Sequence, residues 1–413
     1  MFAVSRPAVH TFRGGFISSR ESIPMSDKLH PETLAIRGAK SQTEYNEHNQ
    51  ALFLTSSFKF DSAAHGAALF AKEVEGYTYS RTANPTVSAF QQRVAVLEAG
   101  ESGIATATGM AAIQAAFFTF MKAGDHLIAS RSLFGTTAGF ISGIVSKFGI
   151  EVTLVSQTDV AQWRAAVKPN TKMLFLETPS NPLNEVADLE ALAAIAHEAG
   201  ALLVVDNSFC TPAIQQPLRF GADLSVQSAT KGIDGQGRVL GGIIAGRNEL
   251  VKEIALYVNS AGVSLSPFNA WVLLSGVETL FVRMEKQAAN AAQVAAWLRT
   301  RPQVKAVHYA GFDDHPQAQL ARKQQSSGGI VVAFEVEGGQ EAAWKVIDSA
   351  KVFSKTANLG DVRSTITHPW TTTHGRMAPE TKLESGIQPG LLRLSVGLEN
   401  VQDLIADLKQ ALA

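Results

Sequence analysis

Hydrophobic positions divide the chain into stretches of different period. Short apolar runs recur at Ile104–Thr108, His126–Ser130, Val152–Val155, Met173–Leu176, Leu202–Val205 and Leu224–Val226. Each is rich in leucine or β-branched residues and too short for a helix, so each predicts a buried strand. Apolar residues at three- and four-residue spacing predict helices between them. One covers Val87–Leu97 behind the Asn84-Pro85 turn; another is capped by Asp188, ends at Gly200 and carries Leu189, Leu192, Ile195 and Ala196 on one face. Strands that are apolar throughout and alternate with helices predict a mostly parallel sheet covered on both sides. Ligands on such sheets bind at the carboxyl ends of the strands.

After about residue 270 the pattern changes. Val277–Arg299 is alanine-rich and helically spaced through Leu280, Met284, Val294, Trp297 and Leu298, which predicts one helix joining two domains. Gly329–Glu337 alternates through Val332, Phe334 and Val336, Leu391–Val396 is a second strand, and a closing helix starts at Asn400. The expected organisation is an α/β large domain over 81–270 and a smaller α+β domain over 271–413. Residues 25–80 lack sustained periodicity and predict an arm that reaches across a neighbouring subunit. Residues 1–24 carry Arg6, Arg13 and Arg20 with several serines and read as a disordered tail, weakly similar to a transit peptide.

With 413 residues the chain exceeds one ordinary core. Lys plus Arg number 36 against 37 for Asp plus Glu, so no basic field exists for nucleic acid or an anionic membrane. The single cysteine, Cys210, excludes an intrachain disulfide and suits a reducing compartment such as the cytoplasm. No apolar run reaches the roughly 18 residues of a membrane span.

The polar residues that stand out sit where strands end. Lys231 closes Ser225-Val226-Gln227-Ser228-Ala229-Thr230-Lys231-Gly232. Burial there favours the free amine, a nucleophile toward aldehydes, and Ser228 and Thr230 can donate to an anion beside it. Asp206 directly follows Val204-Val205 and calls for a cation. Gly109 and Met110 open a helix after a strand, where backbone N–H groups form an anion site. Tyr79 and Arg81 precede Asn84-Pro85-Thr86 and form a candidate phosphate clamp. Arg393 is a cation among apolar neighbours. Each also has a plain structural reading: a surface lysine, a turn aspartate, a salt-bridged arginine. The histidines His368 and His374 lack the cysteine or spaced carboxylate of a metal site, so no metal is expected. Cys210 reads as a small buried residue.

As an ordered set, Tyr79/Arg81 with Asn84-Pro85-Thr86, Thr108-Gly109-Met110, Glu177-Thr178-Pro179-Ser180-Asn181-Pro182, Asp206-Asn207 and Ser228-Ala229-Thr230-Lys231 resembles the cystathionine γ-synthase family, the pyridoxal-phosphate enzymes of Cys/Met metabolism. The resemblance runs from about residue 30 to the C-terminus. It implies a fold type I PLP-dependent transferase, aspartate aminotransferase-like, with pyridoxal 5′-phosphate on Lys231 and the ring nitrogen facing Asp206. It further implies that Gly109, Met110, Ser228 and Thr230 hold the phosphate, with Tyr79 and Arg81 of the adjacent subunit. Asn181 would lie near the ring oxygen and Arg393 on the substrate carboxylate. The implied assembly is a homotetramer built as a dimer of dimers.

Two positions depart from the family pattern. Phe134 stands where a ring-stacking tyrosine is usual, which keeps stacking and removes the phenol. Gln227 stands where histidine is common. Phe134 within Ser132-Leu133-Phe134-Gly135-Thr136-Thr137, and Asn358 within Ala357-Asn358-Leu359-Gly360-Asp361, resemble the sulfhydrylase branches. That implies replacement of the γ-succinyl group of O-succinylhomoserine by sulfide, giving homocysteine, with Asn358 over the substrate; Arg363 in the same loop is a candidate cation for the distal carboxylate of the succinyl group. The alternatives are an O-acetylhomoserine sulfhydrylase, a cystathionine γ-synthase using cysteine, a cystathionine or methionine γ-lyase, and a non-catalytic PLP-binding regulator.

Overall fold

The computed structural model describes residues 29–38 and 43–413. The expected tail over 1–24 and part of the expected arm lie outside the described residues. Seven strands form the first sheet: β1 (Ser102–Thr106), β2 (His126–Ser130), β3 (Glu151–Val155), β4 (Thr171–Glu177), β5 (Leu202–Asp206), β6 (Leu224–Gln227) and β7 (Gly242–Gly246). Their spatial order is β1-β7-β6-β5-β4-β2-β3. The five strands from β6 to β3 are parallel, and β7 runs antiparallel to both β6 and β1.

Both faces of this sheet are covered, as continuous apolar strands require. On one face Ile113 and Phe117 of the helix Gly109–Phe120 pack against Leu127, Phe175 and Val204. The Phe117 and Phe175 rings meet edge to face at 5.1 Å and 82°. On the other face Leu189 and Leu192 of the helix Leu189–Glu198 pack with Trp163 against Leu174, Leu203 and Val205. Each such fully buried side chain contributes roughly 1.5–3 kcal/mol. Local capping fixes where these helices begin. Thr108 accepts from the Ala111 N–H at 3.0 Å, Asp188 from Ala191 at 3.1 Å, and Asn84 from Thr86 at 3.0 Å with Pro85 in the first turn.

The second sheet has the order β10-β11-β12-β9-β8, built from β8 (Val304–His308), β9 (Val331–Val336), β10 (Ser354–Lys355), β11 (Thr365–Thr367) and β12 (Leu391–Ser395). Val332, Phe334, Leu392 and Leu394 pack against Leu404 and Leu408 of the closing helix Val401–Ala411. The chain is thus α/β with a mostly parallel central sheet and a second, smaller, mostly antiparallel one.

One expectation is corrected at its boundary: the helix expected over 277–299 runs from Leu280 to Leu298, and Val277 and Glu278 close the preceding helix, Pro267–Glu278, which meets it at Thr279. The expected arm is tied to its own chain at the start: in the helix Pro31–Arg37, Ala35 is buried and its carbonyl accepts from Arg93 Nη1 at 2.6 Å. Farther along, Tyr45, Leu54, Phe60, Phe70 and Val74 remain exposed.

Candidate active site

A cavity of about 360 Å³ opens at the carboxyl ends of β4, β5 and β6, where an α/β sheet presents its ligand site. Nine of the residues singled out in the sequence line it: Gly109, Met110, Phe134, Asn181, Asp206, Ser228, Lys231, Asn358 and Arg393. They come from seven separate segments.

Lys231 leaves β6 at the turn that follows Gln227, and its Nζ donates to Asn358 Oδ1 at 2.7 Å. Burial, reinforced by the Arg393 cation and opposed by Asp206, brings the amine down to about pKa 8. An amine in that range is available near neutral pH both as nucleophile and as proton carrier. The loop bearing Asn358 can lie this close because Gly360 adopts φ +78°; a Cβ there would stand 2.5 Å from the Gly232 nitrogen.

Asp206 ends β5, directly opposite Glu177 at the end of β4. Its Oδ1 accepts from the Ser208 N–H at 2.9 Å, and Ser208 Oγ accepts from the Ser228 N–H at 2.7 Å, which joins the ends of β5 and β6. Burial raises the Asp206 pKa against the pull of Ser208 and Lys231. Burial and the Asp206 charge raise that of Glu177. Two buried carboxyls facing each other suit this floor to a cation. Glu177 also accepts the Phe134 N–H with both oxygens at 3.0 Å, which fixes the backbone that carries the phenyl ring.

At the opposite wall the helix Gly109–Phe120 aims its first turn at Ser228. Gly109 is required there, because a Cβ would lie 2.6 Å from Ser228 Cβ. The unpartnered N–H groups of a first turn and the positive helix end suit an anion. Arg393, fully buried on β12, donates from Nη1 to Asn181 Oδ1 at 3.1 Å and from Nη2 to the Ala357 carbonyl at 2.7 Å. Burial lowers it to about pKa 10, so it remains a cation.

A family model described as the Cys/Met metabolism PLP-dependent enzymes matches residues 32–413. The chain belongs to that family. It is 52% identical over 382 residues to the O-succinylhomoserine sulfhydrylase of Pseudomonas aeruginosa, covering 92% of this chain and 95% of that one. It is 41% identical over 383 residues to the L-methionine gamma-lyase of Porphyromonas gingivalis, covering 92% and 96%. The solved structure of metY from Campylobacter jejuni, which holds N′-pyridoxyl-lysine-5′-monophosphate, superimposes with a TM-score of 0.90 at 33% identity, covering 93% and 100%.

The cavity fits the cofactor of this PLP-dependent family. It offers an amine for the aldehyde, a carboxylate floor for a ring cation, and a glycine-opened helix end for a phosphate. Four of the sequence candidates lie off its lining. Thr230 turns to Gly241, accepting its N–H at 3.1 Å and donating to its carbonyl at 3.3 Å. Tyr79 is 46% exposed, and Arg81 donates to the Asn259 carbonyl. Arg363 also lies off the lining. Its Nε and Nη2 both bind the Asp361 carboxylate at 2.9 Å, and Nη2 also donates to the Gln236 carbonyl at 2.7 Å.

Two residues of this family member had no role in the sequence reading. Glu177 is one. Arg283 is the other: buried, it donates to the carbonyls of Gly232 at 2.8 Å, Ile233 at 3.2 Å and Gly276 at 2.7 Å, fastening the turn after Lys231. His374 is buried beside Arg393 and drops to about pKa 4, chiefly by burial, so it is neutral at physiological pH. Among the described residues no helix is long and apolar enough to cross a membrane.

Proposed function

We propose that the chain exchanges the γ-succinyl group of O-succinylhomoserine for sulfide, giving homocysteine and succinate. The observation that carries this is the convergence of the Lys231 amine, Asp206 and Arg393 on one cavity, in a chain 52% identical to an O-succinylhomoserine sulfhydrylase. Pyridoxal phosphate, when bound, supplies an electron sink in conjugation with the substrate Cα.

The chain's own residues do the rest. Lys231 would hold the cofactor through its amine and, as a free base, would take the Cα proton and carry protons between carbons. An amine near pKa 8 is matched to both directions of transfer. Asp206 holds the ring nitrogen protonated. The Gly109 and Met110 N–H groups and the Ser228 hydroxyl take the phosphate, and Tyr79 and Arg81 of a neighbouring protomer complete that site. Phe134 stacks on the ring, with no phenol to share in proton transfer. Arg393 takes the substrate carboxylate, with Asn181 and Asn358 beside it. On this reading the active unit is a dimer, and the family resemblance implies its pairing into a tetramer.

The test is a product assay on the purified protein. O-succinyl- and O-acetylhomoserine are each offered with sulfide and cysteine in competition. Homocysteine formed preferentially from the succinyl ester is expected. Dominant cystathionine would move the assignment to a γ-synthase. Ketoacid and ammonia without thiol uptake would move it to elimination, as in the lyase-named relative.

A further inference from the structure

The helix Pro85–Leu97 ends at Glu98, whose side chain is completely buried. Its Oε1 accepts from Asn207 Nδ2 at 2.9 Å and from Gln227 Nε2. These amides stand beside the groups that face the cavity. Asn207 follows Asp206 at the end of β5, and Gln227 precedes Ser228 at the end of β6. Asn207 Nδ2 also donates to the Gln215 carbonyl at 2.8 Å. Gln215 Nε2 in turn donates to Asn207 Oδ1 at 3.2 Å and to the carbonyl of Thr178, next to Glu177, at 2.8 Å. One carboxyl therefore connects the ends of β4, β5 and β6 without lining the cavity itself.

We propose that Glu98 is a positioning residue for the cofactor site, holding Asp206 and the segment Ser228-Ala229-Thr230-Lys231 in register through Asn207 and Gln227. The inference rests on the cofactor roles proposed above for Asp206 and Lys231. The chemistry of the carboxyl favours its neutral form. It sits at a helix C-terminus, where the dipole disfavours an anion. No cation faces it among the described residues, and the titratable neighbour whose field it shares is the buried Cys210 thiol. Burial raises it to about pKa 8, chiefly against the hydrogen bond from Asn207. A proton on Glu98 also supplies a donor where Glu98 Oε2 and Gln227 Oε1 are both buried without a partner. Gln227 thereby gains a purpose: its amide links Glu98 to the strand that leads into Lys231.

The test compares wild type, Glu98→Gln and Glu98→Leu as full-length holoenzymes by the visible absorption of the bound pyridoxal group. Glutamine keeps a carbonyl oxygen for both amides and places N–H donors where the acid proton stood. Glu98→Leu is expected to weaken cofactor binding at least about tenfold and to move the pH midpoint of the colour change by about half a unit or more, because Asp206 shifts beneath the ring. Glu98→Gln is expected to stay within about twofold in affinity and to keep the wild-type midpoint. Should Glu98→Leu not fold, Gln227→Leu removes one of the same bonds from its other end and is held to the same outcome. Leucine variants that match wild type in affinity and midpoint overturn the proposal, as does a Glu98→Gln protein as impaired as they are. Lys231→Ala, run alongside, separates this from the cofactor reading: a covalent band that survives in it refutes the anchor, whatever Glu98 does.

Discussion

Opposing neighbours govern the amine of Lys231. Burial and Arg393 favour the free base, Asp206 favours the ammonium, and the balance lies at about pKa 8. Only the free base attacks an aldehyde. The rate at which cofactor-free protein takes up pyridoxal phosphate should therefore rise about tenfold from pH 6 to pH 7 and level off above roughly pH 9. Stopped-flow absorbance at a fixed cofactor concentration measures it, and a flat profile between pH 6 and 8 would contradict the assignment. Asp206 stands out in the sequence as a charge directly after an apolar strand, whereas Lys231 stands out through the ordered set of motifs around it. Glu98 and Arg283 do not stand out. Asn207 lies 109 residues from Glu98, and Arg283 binds backbone carbonyls, which every residue carries. Arg363 has a partner two positions away: the Asp361-Val362-Arg363 spacing offers the carboxylate that occupies its fork.

Among the elements, the break at Thr279 separates what periodicity reads from what tertiary contacts decide. The apolar spacing runs on through Val277, Leu280 and Met284, so the pattern shows one helix. The chain instead ends the first helix at Glu278 and starts the second at Leu280, and Arg283, in its first turn, reaches back to Gly276 and across to Gly232 and Ile233. Arg283→Met removes the donors from three carbonyls in a buried place. A loss of about 3 kcal/mol in urea unfolding is expected, and Lys should restore only part of it because a single ammonium lacks the planar fork. At the helix Gly109–Phe120 the sequence signal was complete, since a glycine between an apolar strand and a helix marks a close approach. Gly109→Ala drives a methyl toward Ser228, and pyridoxal phosphate affinity measured by equilibrium dialysis should fall by about tenfold or more while the unloaded fold persists.

At the scale of the whole molecule the proposed site draws on two copies of the chain. Tyr79 and Arg81 were selected from the sequence as phosphate ligands, and both lie off their own chain's cavity, on a stretch whose neighbours Phe60, Phe70 and Val74 expose apolar surface. On the proposed shared site, a second copy of the chain that covers this surface would bring the pair to the partner's cavity. The consequence is a complementation test. Arg81→Ala and Lys231→Ala are each expected to be nearly inactive alone. A hybrid dimer of the two contains one site with both changes and one with neither. Random reassociation makes half the dimers hybrid, so an equimolar mixture, unfolded together and refolded, should recover about a quarter of wild-type activity per protomer. Recovery near zero, with hybrid dimers verified by mass spectrometry, would place Arg81 and Lys231 in the service of the same chain and remove the shared-site assembly.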